Sequence, residues 1–485
     1  MTPRVLALVL GVMGLSSAAV RAAEPAGELL DHVWSGHPVS FALLTERGHQ
    51  FVAYYDGARR LTIAGRKLGD ATWTRVQPPG RPVPGQARDS NVTNWDSHNY
   101  VKLALDRAGC LHVSGNMHVN PLVYYRTRAP FDLNTLERID RMTGERETRC
   151  TYPLFFKTAA GDLVFRYRDG ASGNGSDLYN IYDPATHAWR RLLETPLLDG
   201  EGERNAYATE PKLGPDGYFH LVWMWRETPD AATNHTLSYA RSRDLVHWEN
   251  SRGEPLTLPI TLATSDVIDP AKVKEGLINM TMAIGFDARQ KPVVTYHRYD
   301  AAGKSQVFAA RPRWEAGVSP DAAGGRGQPA SKLGDAERRA GSGWDVRQVS
   351  DWDFRWQFGG GGSLTAEVTA GAPRMDRDGS LLVNYATLEH GSGVWRLRSD
   401  TLARVAELPA PPAALPAELQ RVRSDYPGME VQSATARAAG RRWVLRWETL
   451  GRNRDQPRAV KPPPTELRLY ELPDADLSDA VRVGS

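Results

Sequence analysis

The sequence predicts an all-β fold, and more narrowly a seven-bladed β-propeller. A strand, a turn and a second apolar strand recur along the chain, tryptophans follow several of these hairpins, and no long helical periodicity competes with them. The 14 Trp, 17 Tyr and 44 Gly fit β-structure with many turns. Four-stranded units at spacings of about 50–90 residues fit a propeller better than a sandwich.

Seven hairpins carry this prediction. Most have Gly, Asp or Pro in the turn, which are residues that hairpin turns favour. They span residues 49–66, 100–118, 153–168, 211–225, 282–299, 373–385 and 434–447. Six or eight blades stay open as alternatives, because the gap between the fifth and sixth hairpins is long.

The segments between the hairpins are interpreted as outer strands, connectors and loops. Outer strands are expected at Trp73, Trp189, Trp248 and Trp344. Residues 321–341, rich in Gly, Ala, Arg and Ser, predict a flexible insertion, and the Pro-rich residues 408–416 and 457–464 predict connectors. The aromatic residues 351–356 and the glycines of 359–362 predict a loop over the rim, with packing between blades as the alternative.

The N-terminus predicts export. Arg4 precedes an apolar run and then small residues, which is the order of a signal peptide over residues 1–23. The alternative, a membrane anchor, would be short for a span. We therefore expect a secreted or periplasmic protein with one domain over residues 24–485, a monomer without a membrane partner.

Composition restricts the partners only weakly. The formal net charge of +3 is close to neutral and does not call for a nucleic-acid partner, although a mildly basic protein can prefer an acidic ligand. The two cysteines, Cys110 and Cys150, are too few for a disulfide framework. One bridge and two buried free thiols both stay open.

Hairpin arithmetic brings two histidines together. The turn of the second hairpin is centred near Ala108, so residues whose numbers sum to 216 should face each other. His98 and His118 satisfy that sum, which predicts side chains within about 8 Å of each other at the open end of the hairpin. Adjacent imidazoles disfavour charging and lower each other's pKa.

The same arithmetic places polar residues at the matching ends of the next three hairpins. If the blades are equivalent, these residues share one face near the propeller axis. Tyr152 should face Arg168, with Arg166 on the same side; Arg226 should face Asn205, with Tyr207 two residues inward; and His297 should face Thr281.

Several motifs in this region resemble the BNR-4 repeat family. They are SHNY at residues 97–100, LHVSGNMH at 111–118, PLVYYR at 121–126, FRYRDG at 165–170, WRETP at 225–229 with NH at 234–235, and YHRY at 296–299. The resemblance runs from about residue 49 to residue 362. It implies a seven-bladed propeller and a polysaccharide lyase of the ulvan lyase or rhamnosyl-glucuronate lyase type; a related group has been described as α-L-rhamnosidases.

The resemblance also implies which residues take part in catalysis and substrate binding. His98, His118, Tyr152 and Tyr207 are the expected catalytic residues. Residues expected to bind the substrate are Arg166, Arg168, Asn116, Arg226 and His297. No cofactor is required, a structural metal ion is left open but not predicted, and the expected partner is an acidic polysaccharide or oligosaccharide that contains rhamnose and uronate.

These residue types suit β-elimination of a 4-linked uronate. Arg can bind the carboxylate at two points, one His or Tyr can take the C5 proton, and another can protonate the leaving oxygen. No pair of carboxylates lies at the same hairpin ends, which counts against a two-carboxylate hydrolase. An α-L-rhamnosidase on the same fold and a noncatalytic glycan-binding propeller are the alternatives.

Overall fold

Antiparallel β-strands account for nearly all of the regular structure. The computed structural model describes residues 27–313, 343–413, 415–438 and 440–474. Within them, 32 strands form seven antiparallel sheets. The helices are short: a four-residue α-helix, Ala417–Gln420, and the single 3-10 turns Ser97–Asn99, Leu133–Thr135, Ala231–Thr233 and Asn279–Thr281. The all-β prediction is confirmed, and the closed propeller stays a prediction.

The sheets follow one another along the chain, with two exceptions. The first strand, β1 (Glu28–Val33), belongs to the seventh sheet, and β8 (His118–Asn120) belongs to the third sheet although it precedes the last two strands of the second. The first sheet contains β2 (Ala42–Glu46), β3 (His49–Tyr55), β4 (Leu61–Lys67) and β5 (Thr74–Val76). The second contains β6 (Val101–Leu105), β7 (Leu111–Gly115), β9 (Tyr124–Thr127) and β10 (Leu136–Arg138). The third contains β8 (His118–Asn120), β11 (Cys150–Lys157), β12 (Leu163–Ala171), β13 (Asn174–Asp183) and β14 (Ala188–Arg191).

The remaining sheets repeat this order. The fourth contains β15 (Asn205–Ala208), β16 (Lys212–Leu213), β17 (Phe219–Arg226), β18 (Asn234–Ser242), β19 (Trp248–Glu249) and β20 (Asp266–Asp269). The fifth contains β21 (Ala283–Phe286), β22 (Pro292–Tyr299), β23 (Ser305–Pro312) and β24 (Trp344–Gln348). The sixth contains β25 (Val368–Ala370), β26 (Arg374–Met375), β27 (Leu381–Thr387), β28 (Gly391–Leu397) and β29 (Arg404–Pro409). The seventh contains β30 (Met429–Ala438), β31 (Arg441–Leu450) and β32 (Thr465–Pro473).

The predicted hairpins are confirmed, one in each sheet. They are the pairs β3–β4, β6–β7, β11–β12, β16–β17, β21–β22, β26–β27 and β30–β31. Three predicted tryptophans begin or lie on outer strands: Trp189 on β14, Trp248 on β19 and Trp344 on β24. Trp73 directly precedes β5. Local turn chemistry and strand patterning were therefore sufficient to find every sheet.

The core lies between the faces of neighbouring sheets. Phe41, just before β2, stacks on Trp447 of β31 with ring centroids 4.5 Å apart, so the first sheet packs on the seventh. β1 from the start of the chain pairs with β32 from its end. Full burial of such aromatic and aliphatic side chains contributes about 1.5–3 kcal/mol each.

A buried Asp–His–Tyr set of hydrogen-bonded side chains occurs in two sheets. In the second sheet, Asp106 and Tyr124 contact the two ring nitrogens of His112, with Oδ2–Nε2 at 3.4 Å and the hydroxyl 2.9 Å from Nδ1. The indole N–H of Trp189, from the third sheet, donates to the same hydroxyl at 3.0 Å. The fourth sheet repeats the arrangement with Asp216, His220 and Tyr239. Hydrogen-bond partners thus satisfy these buried imidazoles.

The remaining sequence predictions concern the N-terminus, the insertion, the aromatic loop and the two cysteines. The signal peptide of residues 1–23 and the insertion of residues 321–341 lie outside the described residues. Residues 351–356 and 359–362 form an irregular loop whose Trp356 is buried, so both the loop and the packing interpretation apply. Cys110 and Cys150 are buried free thiols. None of the helices among the described residues has the length and apolar character to cross a membrane.

Candidate active site

The site is built around one carboxylate at the entrance to β6. Asp96 caps the 3-10 turn Ser97–Asn99, and its Oδ1 accepts the backbone N–H of His98 at 2.9 Å, as a short acidic cap does. The same oxygen lies 2.7 Å from Nδ1 of His98. The cap therefore fixes the imidazole together with the backbone.

His118 meets the same carboxylate from another strand. It begins β8, and its Nδ1 lies 2.6 Å from Oδ2 of Asp96. Its ring stacks on that of His98, with centroids 3.9 Å apart and planes 23° apart. The predicted neighbourhood of the two histidines is thus present in the structure.

The two histidines are brought together in a different way from the predicted cross-strand pairing. The ladder of β6 and β7 has the predicted register, with Val101 opposite Gly115 and Lys102 opposite Ser114. The ladder ends before both histidines, however. His98 lies in a 3-10 turn, and β8, which begins with His118, pairs with β11 instead of extending the β6–β7 ladder. Asp96, rather than cross-strand pairing, holds the two rings together.

The shared carboxylate sets the protonation of the pair. Burial raises the pKa of Asp96, but hydrogen bonds from His118 and His98 outweigh burial and hold it well below the usual range. An ionised carboxylate only accepts hydrogen bonds, so Nδ1 of each imidazole carries a proton and donates it to Asp96. Burial, together with the nearby His98, lowers the pKa of His118 below 6.5. His118 is therefore a neutral base near pH 7, and its side chain is 32% exposed.

A second carboxylate supports the pair from the seventh sheet. Asp455, in the loop between β31 and β32, accepts the backbone N–H of Ser97 at 3.0 Å and contacts Nε2 of buried His37 at 3.0 Å. Its Oδ2 lies 3.8 Å from Nδ1 of His98. Burial raises the pKa of Asp455, but the hydrogen bonds from His37 and from the Ser97 backbone, together with the nearby His98, outweigh burial and lower it to about 2.

Tyr152 reaches the pair from β11. Its hydroxyl lies 3.2 Å from Nε2 of His98, and the hydroxyl is the donor when the ring is neutral with its proton on Nδ1. Tyr152 has a φ of 59° at a bulge in the β11–β12 ladder. The predicted pairing of Tyr152 with Arg168 is wrong, because the bulge places Arg168 opposite Thr151.

Two buried guanidiniums face the tyrosines. Arg168 is 4% exposed, and its Cζ lies 4.9 Å from the centre of the Tyr152 ring. Its Nη2 donates to the Thr151 hydroxyl at 3.1 Å, while Nε and Nη1 have no hydrogen-bond partner in the described chain. The Cζ of Arg226 lies 3.9 Å from the centre of the Tyr207 ring. No carboxylate among the described residues pairs with either guanidinium.

Arg226 is oriented by neutral partners, which explains how it stays available to an anion. Its Nε donates to Asn234 at 2.7 Å and its Nη2 to Asn279 at 2.8 Å. The predicted pairing of Arg226 with Asn205 across β15 and β17 is confirmed, as is the position of Tyr207 two residues inward.

The two tyrosines differ in acidity. Burial raises the pKa of Tyr152 above its ordinary value. Burial also raises that of Tyr207, but Arg226 and Arg168 outweigh burial and lower its pKa below 10. The hydroxyl of Tyr207 lies 2.6 Å from the Ser172 hydroxyl, and the two tyrosine rings are 6.1 Å apart. Paired groups whose pKa values are pushed apart are typical of acid–base sites.

Three predicted substrate-binding residues have other partners. Arg166 binds Asp177 through Nε at 2.8 Å, and fully buried Asn116 donates to the carbonyl groups of Ser90 and Val92. His297 is opposite Thr281 as predicted, but it is fully buried, and burial lowers its pKa to about 4. These positions give no support to direct contact with a ligand, which stays a prediction for these three residues.

The donor atoms of Asp96, His98 and His118 lie within 4.8 Å of one another, a spacing that a metal ion could bridge. Both Asp96–His distances are those of hydrogen bonds, however, so protons alone account for the geometry. Sequence reasoning missed Asp96 as a site residue, although its capping position before His98 was a usable signal. Asp455 and His37 carried no such signal.

The chain matches the model of a BNR repeat-containing family over residues 49–318. It is 26% identical over 135 residues to the ulvan lyase, long isoform, of Alteromonas sp. (strain LOR). That alignment covers 24% of this chain and only 13% of the length of the relative.

Solved structures show where the fold recurs. The chain resembles the crystal structure of the polysaccharide lyase Uly1 with a TM-score of 0.55 and 14% identity, over 94% of both chains. It resembles a PL25 ulvan lyase with a TM-score of 0.52 and 14% identity, over 94% of this chain and 99% of the other. The same TM-score and coverage, at 13% identity, hold for a PL25 ulvan lyase bound to -[GlcA(1-4)Rha3S]-. At these identities the likeness shows the fold.

Proposed function

Since this chain belongs to the BNR repeat-containing family, we propose that it is a polysaccharide lyase that cleaves an α-L-rhamnosyl-(1→4)-glucuronate linkage by β-elimination. One observation carries the proposal: two buried guanidiniums, Arg168 and Arg226, have no carboxylate partner among the described residues and face the tyrosines beside the stacked histidines. A site that holds free buried positive charge next to proton-transfer groups suits an acidic sugar.

Arg168 and Arg226 bind the uronate carboxylate. Elimination requires loss of the weakly acidic C5 proton, and the negative charge that then develops spreads into the carboxylate. A guanidinium that is already buried and oriented stabilises this charge without reorganising. Nε and Nη1 of Arg168, which have no hydrogen-bond partner in the described part of the chain, supply donors for that carboxylate.

His118 and Tyr152 move the protons. His118, neutral and partly exposed, takes the C5 proton at Nε2, while Tyr152, whose pKa burial raises, gives its hydroxyl proton to the leaving O4. The C5–H and C4–O4 bonds break and a C4–C5 double bond forms, with no water added. His98 orients the Tyr152 hydroxyl, and Tyr207 contributes a second hydroxyl of lowered pKa.

The proposal includes a closed seven-bladed propeller. Pairing of β1 with β32 joins the two ends of the chain in one sheet, which is how a ring of blades can be closed. Contacts of β2 with both β30 and β6 support the same arrangement, because they place the seventh, first and second sheets side by side. The protein is proposed to be exported after removal of residues 1–23 and to act as a monomer without a cofactor.

A panel of glycans tests the activity. Rhamnose- and uronate-containing polysaccharides are incubated with the protein, and the absorbance of an unsaturated uronate is followed. We expect absorbance to rise with a substrate that carries rhamnose on O4 of glucuronate, and with His118→Ala to rise about 10²–10⁴-fold more slowly. A solved lyase of this fold bound to -[GlcA(1-4)Rha3S]- supports the choice of glycans. Turnover that is unaffected in His118→Ala would overturn the site.

A further inference from the structure

The loop between β31 and β32, residues 451–464, is strongly basic. It contains four cations, Arg452, Arg454, Arg458 and Lys461, and a single acid, Asp455. Such a run is usually a solvated surface, but this one is attached to the candidate active site. The positive charge of the loop therefore lies beside the candidate active site, where it can attract an acidic polymer.

One side of the loop is fastened to the histidine pair. Asp455 accepts the backbone N–H of Ser97 and contacts His37, both at 3.0 Å. Ser97 directly precedes His98. Asp455 therefore joins this loop to the backbone next to His98, and its Oδ2 lies 3.8 Å from Nδ1 of that residue.

The other side of the loop lines a cavity of about 520 Å³. Arg452, Arg454 and Gln456 form one wall, and the loop before β25, with Trp356 and Ser363, forms the other. Nη1 of Arg454 donates to the Gly359 carbonyl at 2.6 Å, which fixes the two walls together. The volume lies within the range of about 300–1,000 Å³ that is usual for ligand sites.

The chemistry of the cavity suits an acidic sugar. Ser363 is 7% exposed, and its hydroxyl has no hydrogen-bond partner in the described chain. The exposed guanidinium of Arg452 makes no side-chain hydrogen bond or ion pair with any described residue, and Glu367 is the one acid in the lining. Trp356 and Phe358 are buried aromatic residues of the lining and pack against each other, with ring centroids 4.9 Å apart. The cation and the hydroxyl together match a carboxylated or sulfated pyranose.

We propose that this cavity, between the basic loop of residues 451–464 and the loop before β25, is a subsite for a second acidic sugar of the polymer. The inference rests on the proposed function, because it takes the polymer that the histidine site cleaves and assigns its next anionic unit to Arg452 and Arg454. The subsite selects acidic chains over neutral ones.

Binding without turnover tests the subsite. In the His118→Ala background, calorimetry measures the affinity for an acidic oligosaccharide of about six sugars that contains rhamnose and glucuronate, and for the same oligosaccharide after carboxyl reduction and desulfation. Arg452→Glu should weaken binding of the acidic form about tenfold or more, as expected for loss of a charged hydrogen bond. Binding of the neutral form should change less than twofold.

Two further variants make the outcome decisive. Arg452→Ala/Arg454→Ala should weaken binding at least as much, while Arg190→Glu, at an exposed arginine on β14, is the matched control for reversal of surface charge. Arg452→Glu is decisive even if the double variant misfolds, because the Arg452 side chain has no hydrogen-bond or ion-pair partner among the described residues. Affinity in Arg452→Glu equal to that in Arg190→Glu would overturn the subsite, whether or not the products of the wild-type protein are unsaturated.

Discussion

At the scale of single residues, Asp96 determines how both imidazoles are used. It accepts a hydrogen bond from Nδ1 of His98 and of His118, so it orients the two rings, directs Nε2 of His98 at the Tyr152 hydroxyl and leaves Nε2 of His118 to accept a proton. In Asp96→Asn, one oxygen is replaced by an amide N–H₂, and the ring that faces it must rotate or change its tautomer. We expect kcat to fall by about two orders of magnitude or more, by analogy with other carboxylates that orient a catalytic histidine.

A matched variant separates this effect from loss of the cap. Asp132 caps the 3-10 turn Leu133–Thr135 in the same way, accepting the backbone N–H of Asn134 at 3.0 Å. Asp132→Asn should leave kcat unchanged. Equal kcat values for the two variants would show that Asp96 only caps its turn.

The lowered pKa of His118 predicts the acid side of the pH profile. Burial and the nearby His98 disfavour the imidazolium, so the neutral base persists to a lower pH than in a free histidine. Activity should therefore be retained at pH 6.5 and be lost only as the pH falls through the lowered pKa. A profile of kcat/KM whose acid limb has its midpoint above 6.5 would contradict the assignment of His118 as the base.

At the scale of elements, the recurring Asp–His–Tyr chains are expected to stabilise neighbouring sheets. Tyr124→Phe removes the hydroxyl that contacts His112 and accepts from Trp189, and leaves both buried nitrogens without that partner. The free energy of unfolding should fall by about 1–3 kcal/mol with kcat unchanged. Urea unfolding measures this, and Tyr239→Phe, which contacts His220 in the fourth sheet, should behave alike. Unchanged stability in both variants would refute the role.

The elements also show how far the sequence could predict the site. The hairpins depend on neighbouring residues alone, so turn composition and alternation located them. The bulge at Tyr152 depends on a positive φ at a residue that rarely adopts one, and it shifted Arg168 by one position. Asp455 contacts Ser97, which lies 358 residues earlier in the sequence, and no local sequence pattern predicts such a contact. His98 and His118 were found because both flank a hairpin of predictable register.

At the scale of the whole molecule, the proposed closure of the propeller depends on β1. Leu30 and Val33 of this strand are buried in the seventh sheet, which corresponds to about 3–6 kcal/mol of hydrophobic stabilisation. A chain that lacks residues 24–33 should therefore have a lower Tm, and a peptide of those residues should restore it. The same peptide with Val33→Asp should not. An unchanged Tm in the truncated chain would contradict a ring closed by β1.

The mass of the reaction product tests the central claim most directly. β-Elimination at the site of His118, Tyr152 and Arg168 breaks the chain without adding water, because the new double bond replaces the C5 hydrogen and the O4 substituent. Mass spectrometry of products from a defined rhamnosyl-glucuronate oligosaccharide should show a uronate fragment that lacks one water relative to the hydrolysis product. A uronate fragment that contains the added water, with no unsaturated species, would contradict the lyase mechanism.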